Sequence, residues 1–455
     1  MKHIFILFAV FLMPLLCCAQ KEDYVWVMGN NIIDFNTTPP TVRENEADFV
    51  YSALSNTSVS DKDGNLLYWL NDVNLYNRNN EKIYTVFAVL RSLSILPFPG
   101  SDKKYILMSL DKSKNNILFS IIDGTKDDLH PDIIENYAVL PYKKHGNGAP
   151  ALIQKQNSHN FWLLYQADNI FYVYALTERG LTLHSSEIYD FDYNPNLPYM
   201  LEENWYAVSK TQNQLFAYLN GAVGDVLYLL IDFDNANGVI KNIYRQRNVS
   251  EYIYPFEFSE NGKYIYFQKY IIDDIDLFNK IYRCPTDKLK ESDALNKYQE
   301  LVYTAPEGHY IYSFKSAPDG NFYFLDSENK ESVAVIYNSE SENPIVDLNG
   351  LKMVNVDKLP LMCPYTYHYP FSVSYTRDCH NYTFSFSESE YESIVWNFGD
   401  GTAEVRDVEK PTHTFADDGK YTVTLTVTLT DGIVREYSTE VEITTPKAPR
   451  IIVEE

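Results

Sequence analysis

A short turn recurs along most of this chain, each time between two runs of aromatic and β-branched residues. The clearest copies are Val59-Ser60-Asp61-Lys62-Asp63-Gly64-Asn65-Leu66-Leu67-Tyr68-Trp69, Phe258-Ser259-Glu260-Asn261-Gly262-Lys263-Tyr264-Ile265-Tyr266-Phe267 and Ser316-Ala317-Pro318-Asp319-Gly320-Asn321-Phe322-Tyr323-Phe324. Each sets Asp-Gly or Asn-Gly between strand-like runs, the strongest short-range hairpin signal, because both residues tolerate positive φ. Looser copies turn at Gly100-Ser101-Asp102-Lys103, Asn157-Ser158-His159-Asn160 and Gln212-Asn213-Gln214. A third strand follows each hairpin: Val73-Asn74-Leu75-Tyr76, Ile117-Leu118-Phe119-Ser120, Phe171-Tyr172-Val173-Tyr174, Val226-Leu227-Tyr228-Leu229, Lys280-Ile281-Tyr282-Arg283 and Val333-Ala334-Val335-Ile336. A weaker fourth strand fits before the next hairpin.

Four short strands repeating every 40 to 60 residues or so predict a β-propeller of six or seven blades over residues 24–358. Tyr24-Val25-Trp26-Val27-Met28 with Ile32-Ile33-Asp34-Phe35 would complete or close a seventh blade. A β-helix needs a shorter, stricter period, and a sandwich of this length would be exceptional. The 38 tyrosines and 25 phenylalanines among 455 residues suit an all-β class. No stretch keeps a helical period, and residues 285–299 read as an excursion between strands. The net charge of −24 excludes a nucleic-acid partner, since phosphates would be repelled.

The first 19 residues read as a secretory signal peptide: Lys2 and His3, an apolar stretch from Ile4 to Leu16, then Cys17-Cys18-Ala19. The apolar run is short for a membrane span and Pro14 interrupts it, and no later segment qualifies. Two processing routes stay open, cleavage after Ala19 or lipid attachment at Cys18. The Gln20-Lys21-Glu22-Asp23 directly behind resembles surface-export tags of some gram-negative lipoproteins. Maturation leaves Cys284, Cys363 and Cys379, an odd number. Cys363 and Cys379 are either a disulfide at the domain junction or, like Cys284, small buried residues.

Residues 359–371, with Pro360, Pro364 and Pro370, form an extended connector. Beyond it the pattern changes to Trp396-Asn397-Phe398-Gly399-Asp400-Gly401, then His413-Thr414-Phe415, then Gly419-Lys420-Tyr421-Thr422-Val423-Thr424-Leu425. These motifs resemble a PKD domain over 372–446, with residues 447–455 as a tail. The resemblance implies an immunoglobulin-like β-sandwich, so the whole chain reads as propeller followed by PKD sandwich. Trp396 and Phe398 share a strand face while Gly399 and Gly401 permit the tight turn. Asp400 is read as a turn cap and His413 as a packed structural residue rather than as metal ligands. Val25-Trp26-Val27-Met28-Gly29-Asn30-Asn31 and Ile33-Asp34-Phe35-Asn36 more loosely resemble propellers that precede PKD modules in surface proteins of gliding and related gram-negative bacteria. Such proteins often carry a sorting domain after the PKD module; its absence before Glu455 favours periplasmic retention or a lipid anchor.

Chemical motifs are sparse. There is no GxSxG, HExxH, phosphate-cradling loop, dinucleotide fingerprint or Cys/His zinc spacing, and no cofactor is implied. His130, His145, His159 and His309 lie in turns where histidines are usually solvated. Acidic pairs such as Asp127-Asp128 and Asp273-Asp274 arise by composition among 62 acidic residues. The sequence therefore favours a non-catalytic protein, exported to the cell surface, outer membrane or extracellular space of a gram-negative bacterium, that binds protein or glycan. The alternative is a carbohydrate-active glycosidase or lyase with an accessory PKD module. Carboxylates converging at the propeller funnel would favour the alternative, and an apolar plug would favour the binding protein.

Overall fold

The computed structural model describes residues 21–354 and 374–443, apart from short internal stretches of which the longest are 48–55, 87–94, 142–149, 190–204 and 271–278. The chain divides into two compact units at Pro370–Phe371. Cys18, Cys363, Cys379 and the connector 359–371 lie outside the described residues, and with them the lipid-attachment site and the disulfide.

The first unit holds seven antiparallel sheets in chain order, here blades 1 to 7, spanning 25–44, 56–85, 95–141, 151–188, 205–246, 252–304 and 311–352. Blades 2 to 7 have four strands each, and blade 1 has three among the described residues: Val25–Met28, Asn31–Asp34 and Thr41–Glu44. Second strands such as Leu66–Asn71 and Phe322–Asp326 are buried at every residue. A strand covered on both faces reads as a continuous apolar run, which is why these segments show no polar alternation. Last strands such as Ile345–Lys352 alternate exposed and half-covered residues, as one wet face requires.

Period-two side-chain alternation turns each blade into a two-sided adhesive. In blade 4, Phe161, Leu163 and Tyr165 pack on blade 3, while Trp162 and Leu164 pack on blade 5. The same division runs through blades 2–3, 5–6 and 6–7. Blade 1 sends Val25, Val27 and Ile32 against Leu66 and Trp69 of blade 2, and Trp26, Met28, Ile33 and Phe35 against Tyr323, Leu325, Val333 and Val335 of blade 7. Trp26 lies 4.7 Å from Phe35 and 5.8 Å from Tyr323 between ring centroids. The Val354 N–H donates to Asn31 Oδ1 at 3.0 Å across 323 positions of sequence. Seven sheets with seven successive apolar interfaces, the last returning to the first, make a closed seven-bladed β-propeller.

One feature departs from the sequence reading. The hairpins are not tight two-residue turns with both centres at positive φ. Gly64, Gly262 and Gly320 each donate an i→i+3 bond to Asp61, Ser259 and Ala317 and sit alone in the left-handed region at φ +86°, +70° and +79°. This is a type I turn closed by a left-handed residue. Residues 285–299 contain two short helical turns, Thr286–Lys290 and Ala294–Lys297, that bury Leu289, Ala294 and Leu295 against blades 5 and 6. Cys284 lies beside them, free and fully buried, and burial pushes its thiol up to about 12.

The second unit is a sandwich of a three-stranded sheet (Ser374–Asp378, Asn381–Ser385, Thr412–Thr414) and a four-stranded sheet (Val405–Arg406, Tyr391–Asn397, Gly419–Leu429, Val434–Ile443). Trp396, Phe398, Phe384, Phe415, Val423 and Leu425 fill the space between them.

Candidate functional site

The turns joining first and second strands of blades 2 and 4 to 7 gather at one end of the propeller, as bonds between neighbouring blades show. Asn36, between the second and third strands of blade 1, donates to Gly64 O of blade 2 (2.9 Å), the Gln154 N–H of blade 4 donates to Gln212 Oε1 of blade 5 (2.8 Å), and Lys210 of blade 5 binds Glu260 of blade 6. Gly320 of blade 7 stands over Glu260 in turn. First strands approach one another between blades 1 and 2, 2 and 3, 4 and 5, 5 and 6, and 6 and 7, so this end surrounds the axis.

Its inner part is acidic. The Lys21–Tyr24 segment crosses it, held by the Ser60 N–H donating to Glu22 O (2.7 Å) and by Trp26 Nε1–H donating to Asp23 O (3.1 Å). Glu22 and Asp23 are 7 % and 3 % exposed. Glu22 Oε2 has no hydrogen-bond partner among the described residues, nor does the hydroxyl of Ser60, whose N–H binds the Glu22 carbonyl. Burial, reinforced by Asp23, Asp61 and Asp63, pushes the Glu22 carboxyl up to about 8 against the pull of its own backbone bond. Across the funnel the Lys210 side chain is 12 % exposed. Burial draws its ammonium down to about 8, while Asp23, Asp319, Glu257 and Glu340 oppose that shift. Glu257 is paired with Lys315, and Asp319 accepts from Tyr323 Oη at 2.7 Å.

Further out, between blades 1 and 2, lies a polar cleft of about 560 Å³. Lys21, Arg43 and Arg78 line it together with Asn36, Asn65 and Asn79. The Asp61 carboxylate fixes the blade 2 turn by accepting from the N–H groups of Asp63 (2.9 Å) and Asn65 (2.8 Å). Asn36 is pinned by Asp34, by Gly64 O and by Lys21 Nζ.

Of the acidic pairs in the sequence, Asp128 holds Arg78 through two bonds of 2.9 and 3.0 Å, and Asp127 accepts from Leu129 N–H and contacts His130. Asp273-Asp274 and His145 lie outside the described residues. His159 is buried rather than solvated, and His309 contacts Asp326 at 2.8 Å. The charged groups around the funnel were missed by sequence reasoning, because they come from turns up to about 300 residues apart with no common motif. Among the described residues no three His, Cys, Asp or Glu side chains form a metal-binding group, and no helix is long and apolar enough to cross a membrane.

In the sandwich, Trp396 is fully buried with its Nε1–H on Val408 O at 3.0 Å. A Cβ on Gly399 (φ +74°) would fall 2.3 Å from Thr422 O, whereas Gly401 (φ +82°) faces open space. Asp400 accepts from the Thr402 N–H and Oγ1–H and lies 2.6 Å from His413 Nε2. Burial raises its carboxyl, but the bonds from Thr402 and His413 prevail and hold it down at about 2. His413 stacks flat on Phe398 at 3.9 Å, and Tyr421, two residues into the strand that Gly419 opens, stacks on Phe415 at 4.6 Å.

Comparison with known proteins agrees with this division. Residues 373–445 match the PKD domain family model, and the sandwich is a PKD domain. No curated protein matches the chain. Solved structures similar to it include a protein from Lactobacillus plantarum (11 % identity, TM-score 0.44, 76 % of this chain and 97 % of that one). Others are the C-terminal WD40 domain of Sif2 (11 %, 0.38, 83 % and 97 %) and TolB from Acinetobacter baumannii (12 %, 0.34, 66 % and 63 %). The propeller assignment rests on the packing of its seven blades, not on these likenesses.

Proposed function

We propose that this is an exported, non-catalytic binding protein of the cell surface or envelope, whose propeller end at residues 21–24 and the first turns engages a protein or glycan while the PKD domain serves as spacer or second contact. The observation that carries the reading is the state of the funnel carboxylates. Glu257 and Glu260 are each neutralised by a lysine of a neighbouring blade, and Glu22 is sealed from solvent. General acid–base work needs carboxyls within reach of a substrate, whereas recognition needs only a fixed pattern of charge and hydrogen-bonding groups. The signal-like first 19 residues support export, with cleavage after Ala19 and a lipid on Cys18 as the two routes.

The carbohydrate-active alternative is favoured by the gathering of carboxylates at this end, where Asp23, Asp319, Glu257 and Glu340 surround Lys210, and by the buried Glu22 and Lys210 whose titrations are both displaced towards neutrality. A glycan array with product analysis separates the readings. Retention of intact glycan without new reducing ends is expected. Release of cleaved or unsaturated sugar, abolished by Glu22→Gln or Lys210→Met, would overturn the non-catalytic reading. Fractionation of cells tests location: the protein is expected in the envelope or medium, and a cytosolic pool would contradict export.

A further inference from the structure

We infer that the cleft between blades 1 and 2 takes an acidic sugar, a carboxylate-bearing ring of an oligosaccharide. The inference rests on the glycan arm of the binding reading above. In a chain of net charge −24, three cations converge on one concavity: Lys21 before blade 1, Arg43 on its last strand and Arg78 on the far turn of blade 2. Arg78 is held in place by Asp128, and Lys21 by Asn36. Arg43 is exposed and has no hydrogen-bond or ion-pair partner among the described residues. An arginine fork of that kind matches a carboxylate bidentately.

The rest of the lining selects the sugar from other anions. Asn79 offers a donor and an acceptor, and Asn36, Asn65, Asp34 and Asp63 offer acceptor oxygens, the Asn36 and Asn65 amide N–H groups being spent on Asp34, Gly64 O and Asp61; these are groups that sugar hydroxyls can use. A phosphate or sulfate ion would meet those carboxylates unfavourably and leave most of the 560 Å³ empty. A peptide side chain would find only Val25 and Leu66 as apolar wall, and a nucleic-acid strand would be repelled by the whole chain. The volume falls in the usual range for small-ligand sites, about 300–1,000 Å³.

The test is calorimetric titration of the full-length chain with trigalacturonate, a hyaluronan tetrasaccharide and sialyllactose, beside neutral maltotriose and inorganic sulfate. At least one acidic sugar is expected to bind where maltotriose and sulfate do not. Arg43→Gln, at an exposed position, is expected to weaken it about tenfold or more, the size of one charge-assisted hydrogen bond, and rising salt is expected to weaken it further. Equal binding of maltotriose, equal binding of sulfate, or an unaltered Arg43→Gln would overturn the acidic-sugar inference while leaving glycan binding in place. Failure of every sugar, on the array and in solution, would overturn both.

Discussion

At the scale of single residues, Glu22 is the most consequential group in the propeller. Its carboxyl is buried with one oxygen unpartnered, and its titration is pushed from 4.5 up to about 8. Below about pH 4.5 folded and unfolded chains both hold the proton and the group contributes no pH dependence. As pH rises towards 8, the unfolded chain releases the proton and the folded chain keeps it, so stability is progressively lost. Denaturant titrations of wild type and Glu22→Gln are expected to diverge through that window, the variant gaining about 4 kcal/mol relative to wild type by pH 8. Parallel pH profiles would show that Glu22 ionises in the folded state as freely as in the unfolded one. The glycines of the PKD turn give a second contrast. Gly399→Ala drives a Cβ into Thr422 O, and Gly401→Ala meets no atom, so the first is expected to cost at least about 3 kcal/mol and the second about 1 kcal/mol, the left-handed penalty alone. Thermal melts of the PKD domain measure both, and equal shifts would contradict the close approach.

At the scale of elements, the turns and strands were legible where one residue type satisfies a demand nothing else meets. Gly64, Gly262 and Gly320 were found because their left-handed position favours glycine. The equivalent place in blade 5 is held by Gln212 at φ +58°, whose side chain makes the bond to blade 4; that exchange of backbone freedom for a cross-blade contact made the turn faint in sequence. The third strands were legible as apolar runs, and the PKD motif from Trp396 to Tyr421 fixed its own fold. The candidate site was almost illegible, because Lys21, Arg43 and Arg78 are ordinary surface residues until blades 1 and 2 meet. Each unit offers an element whose loss can be measured. Trp396→Ala removes a fully buried indole, a loss of about 3 to 5 kcal/mol, and calorimetry is expected to lose or lower the PKD transition alone; a shift in the propeller transition instead would misplace Trp396. The Tyr228 hydroxyl accepts from the Ile253 N–H at 2.6 Å between blades 5 and 6. Tyr228→Phe leaves that donor unpaired and is expected to destabilise the propeller by about 1 to 3 kcal/mol, with no change in denaturation midpoint as the contrary result.

At the scale of the whole molecule, the gathering of charge at the funnel depends on the ring being closed. The funnel charges come together because the first and last blades meet, and among the described residues they meet through packed side chains and through the Val354 N–H bond to Asn31 Oδ1. Trp26 is 1 % exposed and belongs to that contact, so Trp26→Ala isolates closure from the folding of individual blades. Hydrogen exchange of the Trp26→Ala chain is therefore the most direct measurement. Faster exchange is expected in Phe322–Asp326 and Ser332–Tyr337 of blade 7, about 300 residues away in sequence, with Phe161–Ala167 and Ile170–Thr177 of blade 4 little altered. Changes confined to residues 21–47, with blade 7 exchanging as in the wild type, would contradict the closed ring.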